Sequence, residues 1–458
     1  LRGFTWKEQQ AFIQQALPGD SASALLTSLR TNPKLRSVAK NPFVLTGVIS
    51  LHKSGQCVPD TLFDLLAAIV DAFEAEDQRA ATLKSSPLRG CHRAYLEAIA
   101  KEMNRSASTL MPETDARNVV LEMGRELVDQ GMLAQPPEPS DILEALCSRH
   151  LLHRNEDLAL RFAHQLFQEF FSAHVVIAHL EAVPVSNDEH KTFLTEILNY
   201  PFWEDTIDLV ASKLADDKNR RAQAQLLLEI ALPVDLGYAS HLAGMLRLER
   251  NGGVPWQELC DAIGKMHHHK APEAKQYSLH CAAATRSPEF SPILWPLLES
   301  DDQQVRLTCY RLAGGLTLKQ LGLDSIVRIA KWPDARRTEA LWEFADRPEN
   351  LEYIECLAQT EPVTTVRAAA IRALDFYNLA SGSTLDAWRK APDSVKEESS
   401  VLTMVLELWR PEETALTNEL KEIARQSNSD AVKRKVGLRL LAHAEEVGAD
   451  AARNALRE

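Results

Sequence analysis

The residues with the clearest chemical potential lie in one stretch, RFAHQLFQEFFSAHVV, at positions 161–176. His164 stands where a helix is expected to begin, directly after a segment whose apolar residues alternate as they do in a strand. A helix N-terminus carries unsatisfied N–H groups and a partial positive charge that suit a phosphate, and an imidazole there can donate one more hydrogen bond. His164 is therefore a candidate phosphate ligand. The alternative is that His164 only caps its helix.

A second set of side chains has the outline of a metal site. Cys147, His150, His153 and His164 include a C-x-x-H-x-x-H pattern. Structural zinc prefers a closed set of four ligands, whereas this set straddles a helix end and the start of a hairpin and has no second thiolate. We therefore predict no metal site. Nucleophile-elbow, zincin and kinase signatures are also missing, so we predict no catalytic residues in this chain.

Composition excludes several classes of protein. The 458 residues include 51 Lys and Arg against 64 Asp and Glu, a net charge of −13 that disfavours a surface for nucleic acid. No run approaches the roughly 18 apolar residues of a spanning helix, so we predict no membrane segment. Seven scattered cysteines without a C-x-x-C pair indicate a reducing, cytoplasmic compartment.

The elements that position these residues are predicted to be helices with one small hairpin. Amphipathic helical patterns run from residue 4 onward, and Asn41 followed by Pro42 marks a helix start. At 151–163 the period changes to that of a β-hairpin, and the helix that follows has an apolar face broad enough to require burial. Helices, a hairpin and another helix are the outline of a winged helix. The predicted fold class is all-α with a small hairpin wing.

An internal repeat occupies the C-terminal part of the chain. Each unit has a polar or proline-containing turn, an apolar-then-basic pair and an apolar helix, at intervals of 31, 30, 31, 29 and 37 residues. Such a period predicts a HEAT-like α-solenoid, in which two-helix units bury their faces by stacking. The pairs are Ala274-Lys275, Val305-Arg306, Ala335-Arg336, Val366-Arg367, Val395-Lys396 and Val432-Lys433.

Roughly the first 180 residues resemble the C-terminal half of a NACHT module, the nucleotide switch of the STAND class of NTPases, in its bacterial, NLR-like form. Four landmarks occur in the order typical of the family. The first follows the ATPase core, the second belongs to the first helical domain, and the last two open and close the winged-helix domain. They are LRGFTWKEQQAFI at 1–13, NPFVLTGVISLHKSGQ at 41–56, VPDTLFDLLAAIVDAF at 58–73 and FAHQLFQEFFSA at 162–173.

The resemblance implies cofactor-binding roles for two residues. His164 would contact the β-phosphate of bound ADP, and Pro42 would pack against the adenine base. The phosphate cradle G-x-x-x-x-G-K-[ST] is missing, since the single Gly-Lys pair, Gly264-Lys265, is followed by Met266. An acidic Walker B strand is missing too. We therefore expect the ATPase core to lie upstream of Leu1, where ADP or ATP with Mg would bind, and we expect this chain alone neither to hydrolyse ATP nor to bind nucleotide tightly.

The sequence thus predicts four segments. They are a NACHT helical domain at 1–57, a winged-helix domain at 58–185, a helical linker with degenerate repeats at 186–265 and a HEAT-like solenoid sensor at 266–458. The resemblance implies the regulatory, ligand-sensing part of a signal-transducing NTPase in bacterial antiphage innate immunity or stress signalling. A protein trigger would bind the solenoid, and the parent protein would oligomerise on activation. The alternative is a helical-repeat scaffold for protein binding with no nucleotide role; a DNA-binding regulator is disfavoured by the acidic charge.

Overall fold

The computed structural model describes residues 3–59, 61–75, 83–148, 152–182, 195, 197–248, 253–312, 317–345, 350–376, 381–408 and 414–447. This part of the chain is mostly helical with one small three-stranded sheet. The chain divides into two compact units, one formed by Leu1–Phe4 with Ala11–Leu298 and the other by Thr5–Gln10 with Glu299–Glu458. The predicted division into four segments stays a prediction.

Helices follow one another closely through the first part of the chain. Short 3₁₀ turns at Pro201–Trp203, Lys218–Arg220 and Pro288–Phe290 separate some of them. The described helices as far as Leu298 are α1 (Trp6–Ala16), α2 (Gly19–Thr31), α3 (Pro33–Val38), α4 (Pro42–Lys53), α5 (Leu62–Glu74), α6 (His92–Arg105), α7 (Glu113–Asp129), α8 (Pro139–Ser148), α9 (Gln165–Ala182), α10 (Glu204–Asp216), α11 (Arg221–Ala231), α12 (Leu236–Leu246), α13 (Gly253–His267), α14 (Pro272–Ala284) and α15 (Ser291–Leu298).

Side-chain caps determine where several of these helices begin. The Asn41 side chain accepts a hydrogen bond from the backbone N–H of Phe43, and Pro42 occupies the first helical position, as the sequence predicts. Thr61 caps α5 through the N–H of Asp64 in the same manner. These caps satisfy N–H groups that the helix itself leaves without partners.

The sheet contains the predicted hairpin and one further strand. Strands β2 (Leu152–Arg154) and β3 (Ala159–Phe162) pair antiparallel, and β1 (Met111–Pro112) adds to the other edge of β3, giving the order β1-β3-β2. Leu160 and Phe162 are buried, as the alternation predicts. The same pattern is wrong for Leu158, which is 60% exposed and has a φ of 58° in the turn.

The apolar face of α9 lies in the core of the first unit. Phe167, Phe170 and Phe171 are all buried, and the rings of Phe170 and Phe171 meet edge to face at 5.3 Å. α9 packs chiefly against α6 and α10. The burial predicted for this helix is therefore confirmed. No helix among the described residues combines the length and apolar character needed to cross a bilayer.

The second unit is helical throughout its described residues and has its own core. That core is centred on α20 and includes Trp388, whose side chain is only 1% exposed. The helices of this unit are α16 (Gln303–Leu312), α17 (Ser325–Ile329), α18 (Asp334–Ala345), α19 (Leu351–Thr360), α20 (Thr364–Phe376), α21 (Ser381–Arg389), α22 (Asp393–Lys396), α23 (Ser399–Leu408), α24 (Thr414–Gln426) and α25 (Asp430–Val447).

Arg306, the basic residue of one repeat turn, holds neighbouring helices together. Arg306, only 8% exposed, forms a two-pronged ion pair with Glu339 on α18, with both N–O distances at 2.8 Å. Its Nη1 also donates to the carbonyl oxygens of Ser300 and Asp301. The carboxylate that pairs with Arg306 therefore comes from the helix one repeat further along the chain.

Candidate functional site

The two predicted cofactor residues, Pro42 and His164, both belong to the first unit, and the residue after Pro42 contacts His164. Pro42 is the first residue of α4, and the next residue, Phe43, stacks its ring on the imidazole of His164, with centroids 4.2 Å apart and planes 13° from parallel. Phe43 also meets Phe167 edge to face at 5.2 Å. Residues distant in sequence thus bring the N-terminal ends of α4 and α9 together.

The His164 ring has a defined tautomer. Its Nδ1 lies 3.1 Å from the backbone N–H of Leu166 and accepts a hydrogen bond from it, which caps α9. Nδ1 must then be unprotonated, so the neutral ring carries its proton on Nε2. Burial lowers the pKa of His164, which favours this neutral form near pH 7. No described residue forms a hydrogen bond with Nε2.

The beginning of α9 therefore retains unused donors. His164 is partly exposed, and its Nε2–H is one of these donors. The backbone N–H of Gln165, the first residue of the helix, is another, since no partner for it lies among the described residues. An anion at this point would accept from both groups and would benefit from the helix dipole. Both the capping hypothesis and the phosphate hypothesis for His164 remain consistent with this geometry.

Gln168, about one turn into α9, has a structural role that the sequence analysis did not predict. Its side chain is 1% exposed and donates to Asn104 Oδ1 at 2.7 Å and to the carbonyl oxygen of Ser108 at 3.1 Å. Asn104 in turn donates to Thr206 Oγ1 at 3.0 Å. This buried network joins α9 to α6 and α10. The presence of a glutamine within a mostly aromatic helix face could have indicated a buried hydrogen bond.

Glu169 presents its carboxyl group to an unfavourable environment. The residue is buried, and burial together with the charge of Asp205 raises the pKa of Glu169 to about 7, against a hydrogen bond from Gln165 that lowers it. Protonation therefore changes the charge at the contact between α9 and α10 close to neutral pH.

The candidate metal ligands are only partly described. His150 lies outside the described residues, Cys147 and His153 are partly buried, and burial raises the pKa of the Cys147 thiol. Over the described part of the chain, no three His, Cys, Asp or Glu side chains converge as metal ligands would. His164 follows the C-terminal end of β3, and its ring stacks on Phe43.

Comparison with known proteins returned no match, either to a protein-family model or to a curated protein. The functional assignment therefore depends on the residues and geometry of this chain.

Proposed function

We propose that this chain is the regulatory and sensor part of a NACHT-type STAND NTPase, in which the junction of α4 and α9 forms half of a nucleotide site. The observation that carries the proposal is the contact between Phe43 and His164. The resemblance implies that Pro42 contacts the adenine and that His164 contacts the β-phosphate, and the contact supports the proposal because Phe43 directly follows Pro42 in the chain. The other half of the site would come from an ATPase core in the parent protein.

The order of elements from α6 to β3 supports a winged helix at this position. The order is helix, strand, two helices and two strands, and the first strand joins the edge of the later hairpin. This is the arrangement expected of a winged-helix domain. In the proposal, α9 follows the wing and offers its N-terminus to the phosphate.

In this proposal His164 acts as a neutral donor. Its Nδ1 is occupied by the Leu166 N–H, which fixes the ring and leaves the Nε2–H for an anionic oxygen. The pKa of His164 is lowered by burial, so the contact would be a hydrogen bond rather than an ion pair near pH 7. Loss of that bond would weaken the closed state selectively.

The helical repeats of the second unit are proposed to be a HEAT-like sensor that supplies the opening signal. A trigger must prefer the open state by roughly 5 kcal/mol to convert a mostly closed population into a mostly open one. An extended surface of stacked helices is large enough to bind a protein with that preference. Opening would then permit self-association of the parent protein, as the resemblance implies for a defence or stress-signalling role.

Two substitutions of His164 separate capping from nucleotide contact. Asparagine retains an N-cap acceptor but cannot place a donor where Nε2 lies, whereas leucine removes both functions. In the parent protein, we expect both variants to lose copurifying ADP and to oligomerise without a trigger, while only His164→Leu lowers the melting temperature. His153→Asn, on β2, is the matched control and should retain ADP.

The competing hypothesis is a protein-binding scaffold without a nucleotide role. It is favoured by the fact that His164 already caps α9 and packs on Phe43, which is a sufficient structural reason for a histidine here. If His164→Asn keeps its ADP and remains in the resting oligomeric state, or if the reading frame before Leu1 encodes no Walker A motif, the scaffold hypothesis replaces the nucleotide one.

A further inference from the structure

Three helices of the first unit, α10, α12 and α14, place acidic or aromatic residues along one strip of surface. α12 packs between α10 and α14, and α12 and α14 each contribute two ring-bearing positions one turn apart. In α12 and α14 these positions form the same motif, Tyr-x-x-His. We call this surface the α10–α12–α14 strip; its members are Glu204, Asp205, Asp208, Asp235, Tyr238, His241, Tyr277 and His280.

Direct contacts make the strip continuous from helix to helix. His241 Nε2 lies 3.1 Å from Asp208 Oδ1, which joins α12 to α10. The Tyr277 hydroxyl accepts from the backbone N–H of Gly237 at 2.9 Å and donates to Asp235 at 3.3 Å, which joins α14 to the start of α12.

Within each Tyr-His pair of the strip, the two ring planes are nearly parallel. Tyr238 and His241 have centroids 6.2 Å apart and planes 16° from parallel, and Tyr277 and His280 repeat this geometry at 6.4 Å and 13°. The tyrosines are half-buried, which fixes them, and His280 is exposed. Two preoriented aromatic pairs therefore lie on adjacent helices.

Two of the four carboxylates of the strip lie at the solvent-exposed start of α10. Glu204 and Asp205 are exposed, and neither pairs with a described cation. The Tyr238 hydroxyl is buried and has no hydrogen-bond partner among the described residues. Its pKa is raised by burial and by the charges of Asp208, Glu204 and Asp205.

Carboxylates next to aromatic faces form the chemical surroundings that a guanidinium or ammonium group prefers. An anionic nucleic acid is excluded by the same charges. Charge complementarity therefore indicates a cationic ligand.

We propose that the α10–α12–α14 strip binds an extended peptide segment of a partner protein that carries arginine or lysine side chains. Neighbouring helix axes lie about 8–10 Å apart, and an extended chain advances about 3.3 Å per residue. Cationic side chains three residues apart would thus meet successive helices. The inference does not depend on the proposed nucleotide role, since none of its residues contacts His164 or Pro42.

The test is fluorescence anisotropy with the chain Leu1–Glu458 and labelled peptides. The probe carries arginine at every third position with proline and serine between, and its matched peptide replaces arginine with uncharged citrulline. A third peptide has the same arginines in one block. We expect salt-sensitive binding of the spaced peptide, weaker binding of the block peptide and none of the citrulline peptide.

Variants of the chain locate the binding. Asp205→Asn and Asp208→Asn should each weaken binding of the spaced peptide about twofold to fivefold, and Tyr277→Leu by a similar factor of about two to five. Glu126→Gln, an exposed carboxylate on α7, is the matched control and should bind like wild type. Circular dichroism checks that each variant is folded.

Equal binding of the arginine and citrulline peptides would overturn the proposal. So would folded Asp205→Asn and Asp208→Asn variants that bind as tightly as wild type, or a loss in Glu126→Gln as large as theirs. Equal binding of the spaced and block peptides would overturn the extended conformation proposed for the ligand.

Discussion

Gln168 and Glu169 are adjacent buried residues of α9. Burial of the first is compensated by hydrogen bonds, whereas burial of the second is not. The Gln168 amide finds two acceptors, Asn104 and the carbonyl group of Ser108, so its desolvation is compensated. The Glu169 carboxyl group finds only the Gln165 side chain and faces the charge of Asp205. One residue therefore stabilises the junction of α9 with its neighbours, and the other makes that junction sensitive to pH.

Replacing Gln168 with alanine should destabilise the first unit. The substitution leaves Asn104 Oδ1 and a backbone carbonyl group buried without a donor, which costs about 2–3 kcal/mol. Urea denaturation followed by circular dichroism measures this difference. Asn118→Ala, an exposed amide on α7, should change the free energy of unfolding by less than about 0.5 kcal/mol. Equal effects of the two substitutions would show that the network contributes nothing.

Glu169→Gln should stabilise the protein at neutral and alkaline pH but not at acidic pH. The folded pKa of about 7 lies above the unfolded value of about 4.5, so the favourable contribution of Glu169 is complete below pH 4.5 and is lost as the pH rises through 7. At about pH 8 the variant should be more stable than wild type by about 3 kcal/mol, and at about pH 4 the difference should nearly vanish. A pH-independent difference would contradict the raised pKa.

At the scale of residues, the sequence predicted that His164 stands at the start of a helix. It did not predict that Phe43 contacts His164. Helix-start signals are local, so the position of His164 at the N-terminus of α9 follows from a few adjacent residues. The stacking on Phe43 depends on how α4 and α9 pack, and no local pattern specifies that contact.

At the scale of elements, prediction succeeded where a pattern was long and failed where it was short. The 18-residue helix α9 and its buried phenylalanine face follow from a sustained period. β1 has only two residues, too few for an alternating pattern, and pairs through contacts with β3. Leu158 matched the alternation but lies in the turn, where Asn155 accepts the Ala159 N–H and sets the chain reversal.

Substitutions of Arg306 test whether its ion pair with Glu339 joins neighbouring repeats. Arg306→Ala leaves Glu339 partly buried without its partner, and we expect a loss of about 2–4 kcal/mol in the unfolding of the second unit. Arg306→Lys should recover only part of this, because lysine cannot form the two-pronged contact. Arg389→Ala, which breaks the more exposed pair with Glu419, should cost less than about 1 kcal/mol. Equal losses at Arg306 and Arg389 would contradict a special role for the buried pair.

At the scale of the molecule, the chain has two described cores that share no residue. The first includes Phe170, and the second includes Trp388. Composition and period predicted a helical protein with C-terminal repeats. The boundary near Leu298 was not predicted, because it falls inside the repeated segment and depends on which helices pack together.

Hydrogen exchange should report these cores separately. Trp388→Ala removes a fully buried indole at a cost of about 3–5 kcal/mol, and we expect faster amide exchange in α20 and α23 with α6 and α9 unchanged. Phe170→Ala should produce the reverse pattern. Mass spectrometry of both variants provides the measurement, and acceleration of both cores by either substitution would show that they open as one cooperative unit.

Photolabelling with 8-azido-ADP tests most directly whether the junction of α4 and α9 is half of a nucleotide site. The parent protein is irradiated with the probe, digested and mapped by mass spectrometry, with unlabelled ADP as competitor. The account predicts an ADP-protected label on the peptide that contains Pro42 and Phe43, and loss of that label in His164→Asn. Protected labelling that leaves this peptide unmodified, or labelling there that ADP does not compete away, would contradict it.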